Sequence, residues 1–235
     1  MNGLSIVIPI YKEKKNLSKL VKLIYRTIKI KNFELIFVDD DSKDGSIDVL
    51  KNLKKKFKNL FFFIRKKKPR DLSKSCVLGF YKSKHKSILV MDGDLQHRPI
   101  DINKLCYKFF KENCDIVVGS RELKSKKNEG LKLYRLLSSI ILIFIVNFFL
   151  GFKTNDPMSG FFIFKKKIFL KTKKNLSNRG YKILLDLIYT YKKNLKIKDV
   201  FIKFKSREKG FSKMDLKIIY LLVFDIFKKF LFKKS

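Results

Sequence analysis

The sequence lacks several features that mark common protein classes. Its three cysteines, Cys76, Cys106 and Cys114, show no C-x-x-C spacing and are odd in number, so we expect reduced thiols in a cytosolic setting. It has no tryptophan and only two histidines, which offer no catalytic pair. It contains neither a G-x-G-x-x-G motif nor a P-loop, which argues against a Rossmann dehydrogenase and a Walker ATPase. No signal peptide is expected, because the first three residues lead directly into an apolar segment.

Acidic residues are also scarce, with 21 Asp and Glu against 56 Lys and Arg and a formal net charge of +35. A basic surface of this size predicts an anionic partner: nucleic acid, anionic lipid headgroups or a phosphorylated substrate. The excess is mostly lysine beside many Ile, Asn and Phe, which is also typical of an AT-rich coding sequence. Hydrophobic residues make up 46% of the 235 positions, enough for the core of one α/β domain.

Apolar segments of strand length alternate with segments of helical periodicity, which predicts a doubly wound, mostly parallel α/β sheet. The predicted strands cover residues 4–10, 33–38, 60–64, 87–91 and 115–119. The predicted helices cover residues 17–27, 46–56, 72–81 and 99–112. Asn16 is the expected N-cap of the first helix.

Polar clusters follow the ends of three predicted strands. After the fourth strand come Asp92 and Asp94, with Gly93 between them and Gln96 two residues further on. Two carboxylates and a carboxamide are hard oxygen ligands, which suit Mg²⁺ or Mn²⁺ and leave positions open for substrate phosphates. The simpler interpretation of this segment is a polar turn.

The other two clusters are Asp39, Asp40 and Asp41 after the second strand, and Ser120 with Arg121 after the fifth. Open α/β sheets bind ligands beyond the carboxyl ends of their strands. Carboxylates crowded into one crevice repel one another unless a cation neutralises them. We therefore predict a metal ion and a nucleotide at this edge of the sheet. An Asx turn is the alternative role for the three aspartates, and one of them is expected to form it while another binds.

Five ordered segments, SIVIPIYKEKKNL, ELIFVDDDSKDGS, ILVMDGDLQH, DIVVGSRE and NDPMSGFFIFKK, resemble those of the polyprenyl-phosphate (dolichol-phosphate) mannosyltransferases. These are inverting glycosyltransferases of family 2 with the GT-A fold. The resemblance covers residues 4–213. D-x-D alone is shared by many sugar transferases, whereas the DLQH and DPMSGFF pair is much narrower. Gly93 stands where alanine is common in the family, and we expect this difference to be tolerated.

The resemblance implies roles for particular residues. Asp92, Asp94 and Gln96 would hold the metal, Asp94, Arg121 and Asp156 would act in catalysis, and Arg135 and Ser139 would bind the lipid phosphate. The nucleotide sugar would be bound by Pro9, Tyr11, Glu13, Val38, Asp40, Asp92, Gly93, Asp94, Gln96, Arg121, Lys182, Arg207 and Lys213.

Each of these residues also has a simpler interpretation. Pro9 can merely end a strand, and Arg121 can form a surface ion pair with Glu122. Asp156 can belong to a helix-stop turn with Pro157 and Gly160. Any single basic residue among 56 can be a solvated charge. His97 belongs to the motif by position, whereas His85 is expected in a surface loop.

The implied reaction transfers a hexose, mannose from GDP-mannose in the first instance, to a polyprenyl or dolichyl phosphate. A lipid phosphate is already an anion near neutral pH, so it can attack the anomeric carbon without a general base. One alternative is the same fold using UDP-glucose or a hydroxyl acceptor, which would make Asp156 essential. A second is a non-enzymatic nucleic-acid-binding protein, prompted by the charge, although no recognisable binding motif is present.

Two segments are predicted to lie at a membrane surface. Residues 136–152 contain no charge over 17 positions, the lower limit for a spanning helix. A spanning segment would separate the DPMSG loop from the D-x-D motif, so we predict an interfacial helix over residues 131–152. Residues 215–232 have the pattern of an amphipathic surface helix. A buried core helix is the alternative for both.

These segments divide the chain into a predicted GT-A domain, residues 1–213, and a membrane-surface tail, residues 214–235. We expect a peripheral enzyme on the cytoplasmic face of a membrane. It is held there by the two helices and the basic surface, or by a separate membrane-anchoring subunit.

Overall fold

Seven strands form one mixed sheet in the order β3-β2-β1-β4-β6-β5-β7. The computed structural model describes residues 3–121, 153–177, 180, 183–191 and 193–203. The strands are β1 (Leu4–Ile10), β2 (Phe33–Asp39), β3 (Leu60–Ile64), β4 (Ser87–Val90), β5 (Ile116–Arg121), β6 (Phe162–Lys165) and β7 (Ile197–Ile202). The described helices are α1 (Lys14–Thr27), α2 (Ser46–Lys56), α3 (Leu72–Lys82), α4 (Asp101–Lys111), α5 (Lys166–Thr172) and α6 (Ile183–Thr190).

The sheet is covered by helices on both faces, which explains why its central strands are almost continuously apolar. All seven residues of β1 are buried. Ile6 and Ile8 point to the side covered by α1, α2 and α4. Val7 points to the other side, covered by α3, α5 and α6. This arrangement confirms the predicted α/β class with a mostly parallel sheet.

Direction changes at only one described strand. β1 pairs in parallel with β2 and β4, β2 with β3, and β5 with β7. β6 lies between β4 and β5 and is antiparallel to both. The start of β6 therefore lies at the same edge as the ends of β4 and β5, and the residues that enter β6 are brought to that edge.

Most predicted elements are confirmed, and the predicted start of α1 is wrong. α2 and β3 have the predicted bounds. Asn16 is not an N-cap, because α1 begins at Lys14 after Glu13. The Asn16 side chain instead donates to Glu13 Oε2 at 2.7 Å, within the first turn. Helix α4 begins two residues after Pro99.

The predicted membrane-surface segments, residues 131–152 and 215–232, and the boundary at residues 213 and 214 lie outside the described residues. Among the helices that the structure describes, none is both long enough and apolar enough to cross a bilayer.

Candidate active site

The turn after β4 holds the predicted metal ligands. Asp94 is 5% exposed, and its Oδ1 accepts a hydrogen bond from the Gln96 backbone N–H at 3.1 Å. Leu95 between them has φ +64° and is buried, so the backbone bends back sharply within the motif. The Asp92 side chain is 35% exposed. This turn therefore presents an open carboxylate beside a buried one.

The loop that enters β6, residues 153–161 and here called the Asp156 loop, closes over this turn. A Cβ added at Gly160 would lie 2.5 Å from Asp92 Oδ2, so only glycine admits the Asp92 carboxylate at this distance. Ser159 Oγ donates to the Gly119 carbonyl at 2.8 Å, and Gly119 N–H donates to the Phe161 carbonyl at 2.8 Å. The end of the loop is thus held against β5.

Arg121 and Asp156 form an ion pair at the mouth of the site. Arg121 Nε lies 2.9 Å from Asp156 Oδ2, with side-chain exposures of 30% and 4%. Burial lowers the pKa of the Arg121 guanidinium, but Asp156 and, more weakly, Asp92 outweigh burial, and the net shift is upward. The second oxygen of Asp156, Oδ1, is buried and has no hydrogen-bond partner among the described residues. Arg121 is therefore charged and faces two carboxylates.

His97 lies beneath the same cluster. It is 3% exposed, and its ring stacks on Phe161 with centroids 5.0 Å apart. Burial lowers the pKa of His97 to about 4, so the imidazole is neutral near pH 7. Its Nδ1 is 3.7 Å from Asp92 Oδ2. His97, which the sequence places in the motif, is thus a buried residue that packs beneath the Asp92 turn.

The ends of β1 and β2 form the other half of the edge. Pro9 pairs with Val38 in register, and both are buried inside the sheet. Tyr11 follows β1, and two cations lie over its ring, with Arg70 Cζ at 4.6 Å and Lys12 Nζ at 5.5 Å from the centroid. Tyr11 and Glu13 are partly exposed.

The three aspartates at the end of β2, Asp39 to Asp41, have different roles. Asp39 accepts hydrogen bonds from the backbone N–H and the hydroxyl of Ser42. This is a local turn contact three residues along the chain, whereas the predicted Asx turn spans two. Burial raises the pKa of Asp39 despite these hydrogen bonds. Asp41 pairs with Lys68 Nζ at 2.9 Å.

Asp40, the predicted nucleotide contact, is held from inside the protein. Its Oδ1 lies 2.5 Å from Arg65 Nη2, and both side chains are 8% exposed. Its Oδ2 accepts from the Asp71 backbone N–H at 2.7 Å. Arg65 and Asp71 were missed in the sequence analysis. Arg65 begins a run of basic residues that could not be distinguished from the lysine-rich composition of the whole chain.

The donor chemistry of the turn fits a divalent cation. Asp92, Asp94 and Gln96 are adjacent in the chain and supply only oxygen ligands. Within the described residues, no group of three or more His, Cys, Asp and Glu side chains could hold a metal ion. The predicted set contains two carboxylates and an amide, which agrees with Mg²⁺-type sites completed by substrate phosphates and water.

Five predicted site residues have no described position. They are Lys182, Arg207 and Lys213, expected near the nucleotide sugar, and Arg135 and Ser139, expected at the lipid phosphate.

Comparisons with known proteins agree with this geometry. The family model "Glycosyl transferase family 2" matches residues 5–172. A dolichol-phosphate mannosyltransferase of Pyrococcus furiosus is 34% identical over 218 residues, covering 92% of this chain and 60% of that protein. The chain thus spans less than two thirds of that relative. The dolichol-phosphate mannosyltransferase of Saccharomyces cerevisiae is 29% identical over 239 residues, covering 97% of this chain and 87% of that protein.

A solved structure confirms the predicted GT-A fold. Glucosyl-3-phosphoglycerate synthase from Mycobacterium tuberculosis, in complex with Mn²⁺, UDP-glucose and phosphoglyceric acid, has a TM-score of 0.70 at 14% identity, covering 98% of this chain and 79% of that chain.

Proposed function

Because this chain belongs to glycosyl transferase family 2, we propose that it transfers mannose from GDP-mannose, with inversion, to a polyprenyl or dolichyl phosphate. The observation that carries the proposal is the meeting, at one sheet edge, of the Asp92–Asp94 turn with the Arg121–Asp156 pair. The relatives named dolichol-phosphate mannosyltransferase support the acceptor class.

In this proposal, Asp92, Asp94 and Gln96 hold a divalent cation, Mg²⁺ or Mn²⁺. When bound, the cation neutralises charge that develops on the nucleoside diphosphate as it leaves. Mn²⁺ accompanies UDP-glucose in the mycobacterial synthase structure. The Asp92 side chain is 35% exposed, whereas Asp94 is buried, so in this proposal the diphosphate approaches the turn at Asp92 from the solvent side.

The chain's own residues supply charge and orientation. The Arg121 guanidinium, charged and 30% exposed, stabilises phosphate oxygens at the mouth of the site. Asp156 Oδ1 is a buried acceptor without a partner among the described residues, and in this proposal it accepts a hydrogen bond from a sugar hydroxyl. Tyr11, partly exposed and close to the cations of Arg70 and Lys12, offers its ring to the nucleotide in this proposal.

The contacts and burial of Asp156 favour a sugar acceptor that is already an anion. Its Oδ2 is engaged by Arg121 and its side chain is 4% exposed, which suits a positioning group better than a proton acceptor. A hydroxyl acceptor would need a base at the site. A lipid phosphate needs none, and it is drawn to the basic surface of a chain that carries +35. We propose peripheral binding to the cytoplasmic face of a membrane, with a separate anchoring subunit as a further partner.

The test is transfer of labelled sugar to undecaprenyl phosphate by the purified full chain, from GDP-mannose and from UDP-glucose. We expect transfer from GDP-mannose, its loss in EDTA and its recovery with Mg²⁺ or Mn²⁺. Asp94→Ala should reduce transfer on the order of 100-fold. The matched control is Asp48→Ala, an exposed aspartate on α2 that pairs with Lys51, which should leave transfer unchanged.

Four outcomes would overturn parts of the proposal. Failure to glycosylate any lipid phosphate would contradict the acceptor, and transfer from UDP-glucose alone would contradict the donor. Full transfer in EDTA, or full activity of Asp94→Ala, would contradict the metal site.

A further inference from the structure

The Asp156 loop is fastened at its start by a carboxylate that lies outside the site. Asp199 is on β7, opposite Val118 of β5 in the sheet register. We propose that Asp199 is a positioning residue that holds Asp156 and Arg121 in contact. Its effect on turnover rests on the proposed function, whereas the positioning itself does not.

Both oxygens of the Asp199 carboxylate accept hydrogen bonds. Oδ1 accepts from the hydroxyls of Ser120 and Thr154, the latter at 2.6 Å. Oδ2 accepts from Asn155 twice, from its backbone N–H at 3.2 Å and its side-chain amide at 2.9 Å. Ser120 and Thr154 are 0% and 1% exposed. The Asp199 carboxylate therefore accepts hydrogen bonds both from β5 and from the start of the Asp156 loop.

The partners of Asp199 explain why it positions the ion pair. Ser120 directly precedes Arg121, and Asn155 directly precedes Asp156. The carboxylate thus binds the neighbour of each member of the pair. In addition, Thr154 Oγ1 accepts from the Asp156 backbone N–H at 3.4 Å. The distance between Arg121 and Asp156 is consequently set by contacts that converge on Asp199.

The opposite end of the loop is fixed independently. Ser159 Oγ binds the Gly119 carbonyl, and the backbone of Gly119 pairs with Phe161. Loss of Asp199 should therefore release residues 154–156 while the pairing of β5 with β6 persists. A displacement of about 1 Å at a reacting group can cost about 100-fold in rate.

The test compares Asp199→Asn with Asp115→Asn in the full chain. Only the side-chain oxygen of asparagine accepts hydrogen bonds. Its NH2 group would therefore face one of the donors that the Asp199 carboxylate binds. Asp115 is the matched control, because its Oδ2 accepts from the Lys196 backbone N–H at 3.1 Å and so also ties β5 to the approach of β7, at the opposite edge of the sheet. We expect kcat to fall 10- to 100-fold in Asp199→Asn, with a smaller rise in KM for the nucleotide sugar because Arg121 and Asp156 also bind it in the proposed function, and neither to change in Asp115→Asn.

A double-mutant cycle separates positioning from general stability. If Asp199 acts through the pair, Asp199→Asn should have little further effect on kcat in an Asp156→Asn background. Equal additional losses in both backgrounds would contradict action through Asp156. Thr154→Val, which removes one of the donors while keeping the buried shape, should give a smaller loss of the same kind, and it tests the proposal if Asp199→Asn does not fold.

A readout independent of activity is the NMR signal of the Arg121 Nε–H, assigned by its absence in Arg121→Lys. We expect the signal to shift and to exchange faster with solvent in Asp199→Asn and Thr154→Val, and to be unchanged in Asp115→Asn. Unchanged signals in the first two variants would overturn the proposal. A wild-type chain that transfers no sugar but shows the expected change would overturn the proposed function and support the positioning.

Discussion

At the scale of single residues, the site depends on one very close approach between two loops. Gly160 lies against the Asp92 carboxylate, where a Cβ would be 2.5 Å from Oδ2. Real Cβ atoms are not found this close to an oxygen, so a methyl group there must displace either the carboxylate or the Asp156 loop.

Gly160→Ala should therefore reduce sugar transfer at least 10-fold, because Asp92 moves out of its place beside Asp94. The matched control is Gly79→Ala on α3, whose Cβ would lie 2.4 Å from Val7 Cγ1, a similar clash inside the core. We expect that control to lower the unfolding midpoint and to keep activity per folded molecule. Equal activity of Gly160→Ala and wild type in the transfer assay would contradict the role of the close approach.

Asp101 provides a pH-dependent contribution to stability. It is 0% exposed and binds Arg98 through Nε at 2.8 Å and Nη2 at 2.9 Å, with Lys104 Nζ at 3.0 Å. Burial raises the pKa of Asp101, but these cations outweigh burial and the net shift is downward. The folded pKa thus lies below the unfolded value of about 3.9. The stabilisation is complete above the unfolded pKa and is lost as pH falls through the folded pKa.

We expect Asp101→Asn to lower the free energy of unfolding by about 2 kcal/mol at neutral pH, from loss of charge-assisted hydrogen bonds. The difference from wild type should shrink below about pH 4. Urea unfolding at several pH values measures it, with Asp48→Asn, whose side chain is 75% exposed, as the control that shows no such trend. A difference that stays constant down to pH 2 would contradict the assignment.

At the scale of elements, the start of α3 joins the end of β2 to the chain at Gly180. Asp71 is its N-cap, with Oδ1 accepting from the Lys74 N–H at 3.1 Å and Oδ2 from the Gly180 N–H at 2.7 Å. The Asp71 backbone N–H donates to Asp40. One residue therefore caps a helix, anchors the chain at Gly180 and supports the end of β2.

Asp71→Ala should destabilise the protein by about 2 kcal/mol, the upper part of the range for loss of an N-cap, because the Gly180 contact is lost as well. Asp71→Asn is the matched comparison, since asparagine caps helices equally well but cannot accept from both amides in the same way. We expect an intermediate loss for it in urea unfolding. Equal stabilities for Asp71→Asn and wild type would show that the Gly180 contact contributes little.

Elements with strong periodicity could be predicted from the sequence, and those defined by tertiary pairing could not. β1 to β5 are apolar runs between polar turns, so their existence follows from the pattern. β6 is a run of the same kind, but its antiparallel direction depends on which strands it meets, and local sequence does not encode that. The prediction of Asn16 as the N-cap failed because its side chain donates to Glu13 in the first turn. Asparagine and glutamate three residues apart also occur in helix caps, so the sequence alone does not distinguish the two arrangements.

The same limit applies to the site. The Asp92–Gln96 motif is contiguous, so its chemistry could be predicted from the residues themselves. The Arg121–Asp156 and Asp40–Arg65 pairs join residues from separate strand ends, and predicting them requires the strand order. Asp199 left no sequence signal, since a single aspartate in a segment with Lys196, Lys198 and Lys203 resembles an ordinary surface residue.

At the scale of the whole molecule, the net charge of +35 dominates encounters with other molecules. Attraction between exposed charges is screened beyond about 10 Å at 0.1 M salt. Binding to any anionic surface should therefore depend steeply on ionic strength, while the chemistry at the buried pairs should depend on it much less.

We expect the full chain to sediment with phosphatidylglycerol vesicles at 50 mM salt and several-fold less at 500 mM, because screening weakens attraction between surfaces. Vesicles of phosphatidylcholine alone are the control, and they report attachment by apolar insertion. Duplex DNA should bind at low salt and be released as salt rises. Retention of DNA at physiological salt with a preference for particular sequences would favour the nucleic-acid-binding alternative.

The reversed course of β6 has a consequence for how the molecule is made. β4 leaves the ribosome early, but its neighbour on one side, β6, is synthesised only after β5 and the residues that follow it. The ends of β1 and β2, with Tyr11, can therefore form first in a nascent chain. The position between β4 and β5 must stay vacant until β6 has been synthesised. Ribosome-bound chains arrested before residue 162 should expose β4 to protease, and chains released after residue 203 should protect it. The nascent protein would thus form the ends of β1 and β2 before it forms the Asp156 loop.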